Sequence, residues 1–266
     1  MPRRRLDAEL LRRGLAASRT EAQEAVRGGK VTVRGLVAEK PSTLVDPADP
    51  VELLAPGRRF VSRGGDKLDT ALERFGVDPA GRVCLDAGAS TGGFTDCLLR
   101  RGARHVVAVD VGYGQLAWSI RSDQRVTVLE RTNVRELTAA HLPYAPDLVV
   151  ADLSFISLRL AIPALAAVAA EVAEAILLVK PQFEAGPDEV GPGGVVRDAE
   201  VWRRAIEGVA AACAEAGFAP LAVMASPLPG PAGNVEFPLH AARGSRAGPP
   251  DVEGAILEGR AIGAGS

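Results

Sequence analysis

Charged side chains recur at one kind of place in this 266-residue chain. Asp86 closes the apolar run Val83 to Leu85, Asp110 follows His105 to Val109, Asp152 follows Leu148 to Ala151, and Lys180 follows Ala175 to Val179. Short apolar runs separated by helix-length segments predict parallel strands buried on both faces. In an open parallel sheet the carboxyl ends of the strands line one crevice, so three carboxylates and a lysine should converge there. A lysine leaving a buried strand is costly unless paired, and two readings stay open: a structural Asp152–Lys180 ion pair, or groups that handle a proton.

The stretch Val83-Cys-Leu-Asp-Ala-Gly-Ala-Ser-Thr-Gly-Gly93 holds the rest together. Its glycines sit in a strand-to-helix turn, where backbone can approach a ligand and a helix N-terminus offers unpaired N–H groups. Asp110 stands roughly 20 residues on, where a nucleotide fold keeps its ribose-binding acid. The turn fits NAD, FAD or S-adenosylmethionine. Its spacing is not G-x-G-x-x-G, and Asp86 inside the turn suits a cationic amino-acid group, which favours the methionine-type cofactor; a tight turn without a ligand is the plainer alternative.

Composition sets the frame for these groups. With 47% hydrophobic residues the chain should fold as a globular α/β protein. The net charge of −2 is unevenly spread, because residues 1–60 hold 12 Lys/Arg against 8 Asp/Glu while the remainder holds 19 against 25. A basic small module before an acidic larger one points to a polyanionic partner, or simply to a solvated face. Cys84, Cys97 and Cys213 lie in apolar contexts without paired spacing and read as reduced core residues, with neither a disulfide nor a zinc framework. The opening Met-Pro-Arg-Arg-Arg-Leu-Asp lacks an apolar signal core, and the run Leu160 to Val179 carries Pro163, Glu171 and Glu174, which suits an amphipathic helix plus a buried strand. A soluble, cytoplasmic protein without a bound metal is expected.

In chain order, Leu6, Leu10, Leu11 and Leu15 fall at helical spacing, and Gly14 ends that helix. Ser18 is an N-cap with Glu21 three positions on, Ala22, Ala25 and Val26 form the inner face of a second helix, and Gly28-Gly29-Lys30 stops it. Val31 to Val33 and Leu36-Val37 read as a hairpin, Val51 to Leu53 as a further strand. Arg4, Arg5, Arg12, Arg13, Arg19, Arg27, Lys30 and Arg34 are then available for one surface. The residues Arg5-Leu-Asp7, Gly14-Leu15, Ser18-Arg19, Ala22, Gly29-Lys30-Val31-Thr-Val33, Gly35 and Lys40-Pro-Ser42 resemble the S4-like RNA-binding domain over about residues 3–55. Small basic modules of this kind hold structured RNA through phosphates and shape.

Pro56-Gly57-Arg58-Arg59 reads as a short hinge before an amphipathic helix carrying Leu68, Ala71, Leu72 and Phe75. Lys67 opens that helix against its dipole, a placement that does nothing for stability. Further on, Val201 to Ala216 is helical and Ala219 to Met224 and Asn234 to His240 are strands, with Glu236 flanked by apolar neighbours.

The larger part resembles a class I, FtsJ-like methyltransferase, and nearly the whole chain resembles the TlyA, or haemolysin A-like, family of ribosomal RNA 2′-O-methyltransferases. The residues that carry this are Ser62-Arg-Gly-Gly-Asp-Lys67, Asp86 to Asp96, Asp110-Val-Gly-Tyr-Gly-Gln-Leu116, Asp152-Leu-Ser-Phe-Ile-Ser157, Lys180-Pro-Gln-Phe-Glu184, Gly193 to Asp198 and Gly233-Asn-Val-Glu-Phe237. The resemblance implies an S4-like domain at 1–56, a linker at 57–62, a Rossmann-like methyltransferase domain with helices on both faces at 63–243, and a Gly/Ala-rich tail at 244–266. It implies a catalytic Lys-Asp-Lys-Glu tetrad at Lys67, Asp152, Lys180 and Glu236, with Lys180 as the base that takes the ribose proton and the carboxylates orienting lysines and ribose. S-adenosylmethionine would meet Asp86 and the backbone of Gly88, Ala89, Ser90, Thr91, Gly92 and Gly93 near its methionine part, Asp110 and Val111 near its ribose, and Asn133 and Val134 near its adenine. Arg4, Arg5, Arg12, Arg19, Arg27 and Lys30 would bind ribosomal RNA or ribosomal subunits. Phe94, Phe155 and Phe183 are read as core packing ahead of stacking, and Gly186 to Gly194 as a loop that closes over RNA. A noncatalytic ribosome-assembly factor and a membrane-lytic haemolysin remain as other classes, and a dehydrogenase would leave Lys180 and Glu236 without a task. Phe60 stands where Tyr or Trp is expected, and Pro192 where a basic residue is common.

Overall fold

In the computed structural model the described residues are 3–16, 18–34, 36–53, 59–244 and 249–263. Gly35 and the connector residues Pro56, Gly57 and Arg58 lie outside them. The chain divides into two compact units, Met1–Arg58 and Arg59–Ser266.

The first unit runs β1 (Arg4–Arg5), α1 (Leu6–Arg12), α2 (Arg19–Arg27), β2 (Val31–Val33), β3 (Leu36–Val37), β4 (Leu44–Val45) and β5 (Val51–Leu53). Ser18 Oγ accepts the Glu21 N–H at 3.2 Å, the cap anticipated for α2. Leu6, Leu10, Ala22, Val26, Val31 and Val51 are among the residues that close one small core. Leu11 departs from the expectation and is exposed, because α1 is short and its buried stripe is narrow. Strands pair antiparallel in the order β3-β2-β5, and β1 pairs β4 separately.

The second unit begins at Arg59. Phe60 and Val61, expected in a linker, are packed into it: Phe60 is buried, the missing Cβ of Gly65 leaves room for its ring, and the Val61 N–H donates to Asp96 Oδ2 at 2.9 Å. There follow α3 (Arg63–Phe75), β6 (Val83–Ala87), α4 (Gly93–Arg100), β7 (His105–Val109), α5 (Trp118–Arg121), β8 (Val126–Leu129), β9 (Leu148–Ala151), α6 (Leu158–Val168), β10 (Glu174–Val179), α7 (Pro181–Glu184), α8 (Ala199–Glu215), β11 (Phe218–Val223), β12 (Phe237–Arg243) and α9 (Val252–Gly263).

Seven strands form one sheet in the order β11-β12-β10-β9-β6-β7-β8. The five from β10 to β8 are parallel, and β12 runs antiparallel between β10 and β11. Both faces are covered, which is why the strands are apolar at consecutive positions: Ala175, Leu177 and Val179 of β10 enter the core that Val201, Trp202 and Ile206 of α8 help to fill, while Ile176 and Leu178 join Leu68 and Leu72 of α3 on the other face. The apolar run from Leu160 resolves into helix and strand as expected, and no helix of the described residues is long and apolar enough to cross a membrane. One correction concerns the C-terminal residues, expected only as a Gly/Ala-rich tail. Residues 252–263 are a helix whose Ala255 and Ile256 are buried against α8 and whose Gly259 lets the rings of Phe237 and Trp202 come close. Ala255 and Gly259 are contact residues, so composition alone misleads there.

Candidate active site

Sheet direction decides where the chemistry gathers. β9 and β10 are parallel and end on Asp152 and Lys180, whereas β12 is antiparallel and begins after Glu236. The β10–β12 register pairs Val179 with Phe237, so Lys180 and Glu236 leave the sheet at the same edge. Lys67 reaches that edge from the first turns of α3, where Gly65, Leu68 and Leu72 make the buried side. Its Nζ donates to Glu236 Oε2 at 2.5 Å, and both residues are buried. Lys180 Nζ lies 2.7 Å from Asp152 Oδ1, which has no other polar partner, and donates to Ser154 Oγ at 2.9 Å. The four expected tetrad members thus form two ion pairs on adjacent strand ends. Paired burial is what makes two lysines tolerable there.

Beside these pairs a cleft of about 580 Å³ opens at the carboxyl ends of β6, β7 and β9. Of the expected cofactor residues, Gly88, Ser90, Asp110, Val111, Asn133 and Val134 line it. Asp110 accepts the N–H groups of Ser90 and Gly112, each at 2.7 Å, and so ties the glycine turn to the following loop. Asn133 Oδ1 accepts the Arg135 N–H at 3.1 Å and shapes the turn after β8. Gly88, at φ +86°, is irreplaceable for a second reason: a Cβ would stand 2.6 Å from the Asp152 carbonyl oxygen.

Four expected cofactor contacts have other placements. Gly92 makes room for Leu116 and Ile120, Gly93 for Ser62 and Gly65, Ala89 is buried in the core and Thr91 is exposed outside the cleft. The two later glycines serve helix packing, a use that the sequence pattern cannot distinguish from ligand approach. Asp86 is wholly buried, with Thr95 Oγ1 donating to Oδ2 at 2.6 Å and Oδ1 left without a partner. Burial, reinforced by the charges of Asp152 and Asp110, pushes its carboxyl up to about 7.

That shift has a sign. Between the ordinary 3.8 and about 7 the folded chain keeps a proton that the unfolded chain has released. The residue's contribution is therefore present at low pH and lost as pH rises through about 7. Urea unfolding of wild type and Asp86→Asn from pH 5 to 8 should show the variant gaining on wild type by up to about 1.4 kcal/mol per pH unit. A gap independent of pH would show that Asp86 does not titrate in this range.

Gly88→Ala is expected to lower the unfolding midpoint and to weaken cofactor binding, because the clash is with backbone that cannot swing aside. Gly114→Ala is the control, since φ is +71° there but nothing lies within 4 Å of the new Cβ. The control should cost about 1–2 kcal/mol, and Gly88→Ala distinctly more. Equal losses at the two positions would mean that the turn relaxes around the added carbon.

The aromatic residues divide. Phe94 is buried as expected. Phe155, read as core packing, is instead 92% exposed, lines the cleft and holds φ at +64°, a conformation that costs a bulky residue free energy. Its ring centroid is 5.3 Å from that of Phe183, which in turn lies under Lys180 at 5.8 Å. The motif Asp152-Leu-Ser-Phe-Ile-Ser157 turns sharply out of its strand, and this turn rather than hydrophobicity sets the side chain's direction.

Sequence reasoning missed three supporting side chains. Ser154 shares Lys180 with Asp152. Glu184, its side chain 2% exposed, accepts from Ser157 Oγ at 2.5 Å, the Leu158 N–H at 2.6 Å and Arg159 Nε at 3.1 Å, capping α6 from the β10 side. Buried Asn234 accepts the Val196 N–H at 2.9 Å and donates to the Gly194 carbonyl at 2.8 Å. The loop expected to close over RNA is thus pinned at its far end, and its Pro192 lies in a short 3-10 turn at Pro192–Gly194. Asn234 stood in the sequence only as a member of the motif Gly233-Asn-Val-Glu-Phe237, which gave it no role of its own.

In the first unit the six expected RNA contacts, Arg4, Arg5, Arg12, Arg19, Arg27 and Lys30, are all exposed. Arg12 grips the buried Glu9 through Nε at 2.8 Å and Nη2 at 2.5 Å, and holds its carboxyl down to about 2. Arg13 is not free for a partner, since it donates to Glu9 and to the carbonyls of Pro47 and Asp49, and Arg34 pairs with Asp49.

This geometry can be set beside known proteins. Residues 60–243 match the model of the FtsJ-like methyltransferase family, and residues 4–51 that of the S4 domain. The 16S/23S rRNA (cytidine-2′-O)-methyltransferase TlyA of Mycobacterium tuberculosis is 56% identical over 88% of this chain and 88% of its own. The chain belongs to the TlyA family of FtsJ-like methyltransferases. Hemolysin A of Brachyspira hyodysenteriae, in the same family, is 35% identical over 89% of this chain and 98% of its own. A solved structure of a putative hemolysin from Streptococcus thermophilus superposes with a TM-score of 0.73 at 37% identity, covering 100% of this chain and 97% of that one. Both the two-part domain order and the mixed sheet are those of an S4 domain followed by a class I methyltransferase.

Proposed function

We propose that this chain transfers a methyl group from S-adenosylmethionine to a ribose 2′-hydroxyl of ribosomal RNA in the cytoplasm. One observation carries the reading: two lysine–carboxylate pairs, Lys67–Glu236 and Asp152–Lys180, at the sheet edge beside a cleft able to hold a nucleoside cofactor. Membership of the TlyA family and the name of the M. tuberculosis relative supply the substrate class.

The residues present fit S-adenosylmethionine. The unpartnered Asp86 Oδ1 suits a cationic amino group beneath the turn, Gly88 lets backbone approach, and Asp110, Asn133 and Val134 suit ribose and base. When bound, the cofactor supplies an electrophilic methyl on a sulfonium. The chain's own task is to hold the hydroxyl in line and to remove its proton as the oxygen–carbon bond forms and the carbon–sulfur bond breaks. To act as the base, Lys180 first releases to solvent the proton it carries in its pair with Asp152; its Nζ then takes the hydroxyl proton, and Asp152 and Ser154 hold the ammonium re-formed. Glu236 fixes Lys67, whose cation lies beside the developing negative charge on oxygen. Phe155, with Phe183 behind it, offers an aromatic face to the base of the target nucleotide. Arg4, Arg5, Arg12, Arg19, Arg27 and Lys30 hold RNA through phosphates.

Incubation with labelled S-adenosylmethionine and unmodified small- and large-subunit ribosomal RNA or subunits, followed by nuclease mapping, tests the reading. Label on a ribose 2′-oxygen is the expected result. No label on either subunit, with cofactor and RNA both bound, would leave a binding-only assembly factor in its place.

A further inference from the structure

Asp7 is wholly buried, yet its carboxylate gathers exposed arginines from two elements, β1 and α2. Arg5 of β1 donates from Nε to Oδ1 at 3.1 Å and from Nη2 to Oδ2 at 2.9 Å. Arg19 and Gln23 of α2 donate to Oδ2 at 3.4 and 3.1 Å, and the Ala8 N–H to Oδ1 at 2.9 Å. The arginine beside it holds the carboxyl well below the usual carboxylate range, so the acid stays ionised. Arg5 and Arg19 nonetheless keep side-chain exposures of 45% and 59%. A planar guanidinium that spends its Nε edge on a carboxylate keeps the opposite edge, with Nη1, for another acceptor. Arg13 is the contrast, because Nε, Nη1 and Nη2 all bond within the unit and its side-chain exposure falls to 20%.

Resting on the reading that the N-terminal unit holds RNA, we infer that Asp7 is a positioning residue that sets Arg5 and Arg19 side by side as a clamp for one phosphate of folded RNA. Two guanidinium groups meeting at one carboxylate stand close enough for a single tetrahedral anion to accept from both. Long arginine side chains lose rotamer freedom when RNA immobilises them, and tethering them to a buried acid removes that loss beforehand. The trio still carries one net positive charge, so attraction for phosphate survives.

The test uses the full chain. Asp7→Asn preserves size but raises the net charge by one, so simple Coulomb attraction predicts tighter RNA binding, whereas the clamp predicts weaker. With a folded ribosomal RNA fragment, we expect a roughly tenfold higher Kd and a slope of log K against log salt shallower by about 1. KM for RNA should rise with kcat unchanged. Exposed Glu24→Gln adds the same charge without releasing an arginine, and should bind as wild type or slightly tighter. Arg19→Lys decides the matter should Asp7→Asn unfold the unit, because it keeps the charge and removes the planar fork. The clamp requires that it lose affinity and slope as well. Unchanged binding by a folded Asp7→Asn, or by Arg19→Lys, overturns the inference and leaves the proposed function standing. A wild-type chain that binds no RNA overturns the proposed function itself.

Discussion

Lys180→Ala is expected to lower kcat for methyl transfer by roughly 10²–10⁴, the span of general-base contributions, while cofactor and RNA binding stay near wild type. The lysine stands 2.7 Å from Asp152 and 2.9 Å from Ser154 at the rim of the cleft, and its pairing there is local. Lys180→Arg separates two roles that alanine removes together. Arginine keeps a cation beside Asp152 but cannot give up its proton to become a base. Loss of turnover in both variants supports proton removal by Lys180. Wild-type turnover in Lys180→Ala would end that assignment, and activity retained only in Lys180→Arg would reassign the residue to charge stabilisation. Single-turnover rates with saturating RNA make the measurement.

The second large effect concerns stability. Lys67 and Glu236 are 7% and 1% exposed and meet at 2.5 Å, so Glu236→Leu leaves an ammonium buried without its partner. The expected cost is about 3–5 kcal/mol, read as a drop in the urea midpoint at constant m. Lys67→Met together with Glu236→Leu should recover most of that loss, since well-packed apolar replacements of a buried pair are often neutral or stabilising. Methyl transfer should stay low in the double variant. Stability regained without activity would mark the pair as retained for chemistry. A single-variant cost below about 1 kcal/mol would instead describe a pair already screened by water.

The two expectations differ because the pairs differ in surroundings. Glu236 is enclosed between β12, the Ser226 N–H that meets its backbone carbonyl, and Gly230, whose absent Cβ leaves room for Oε1. Asp152, with its side chain 24% exposed, faces the cleft. One pair is therefore structural as well as chemical, and the other is available to substrate.

The sequence by itself determined the strand–helix alternation, the buried strands, the glycine turn with Asp86, and the tetrad's residue types, because apolar period, strand-end position and turn chemistry are local properties of the chain. Its resemblance to a family then joined Lys67 and Glu236 to Asp152 and Lys180 across a sequence separation of 169, which no periodicity could do. Only the tertiary structure decided which partner each lysine takes, that β12 runs antiparallel and so delivers Glu236 to the same edge as Lys180, and that Phe155 faces outward while Gly92 and Gly93 serve packing. It also decided that residues 252–263 form a packed helix, and that Asp7 lies beneath the arginines of the first unit. The physical reason is common to all of these. Side-chain type is written residue by residue, but pairing, burial and exposure depend on which elements end up as neighbours, and that is settled only when the sheet and its helices close around one core.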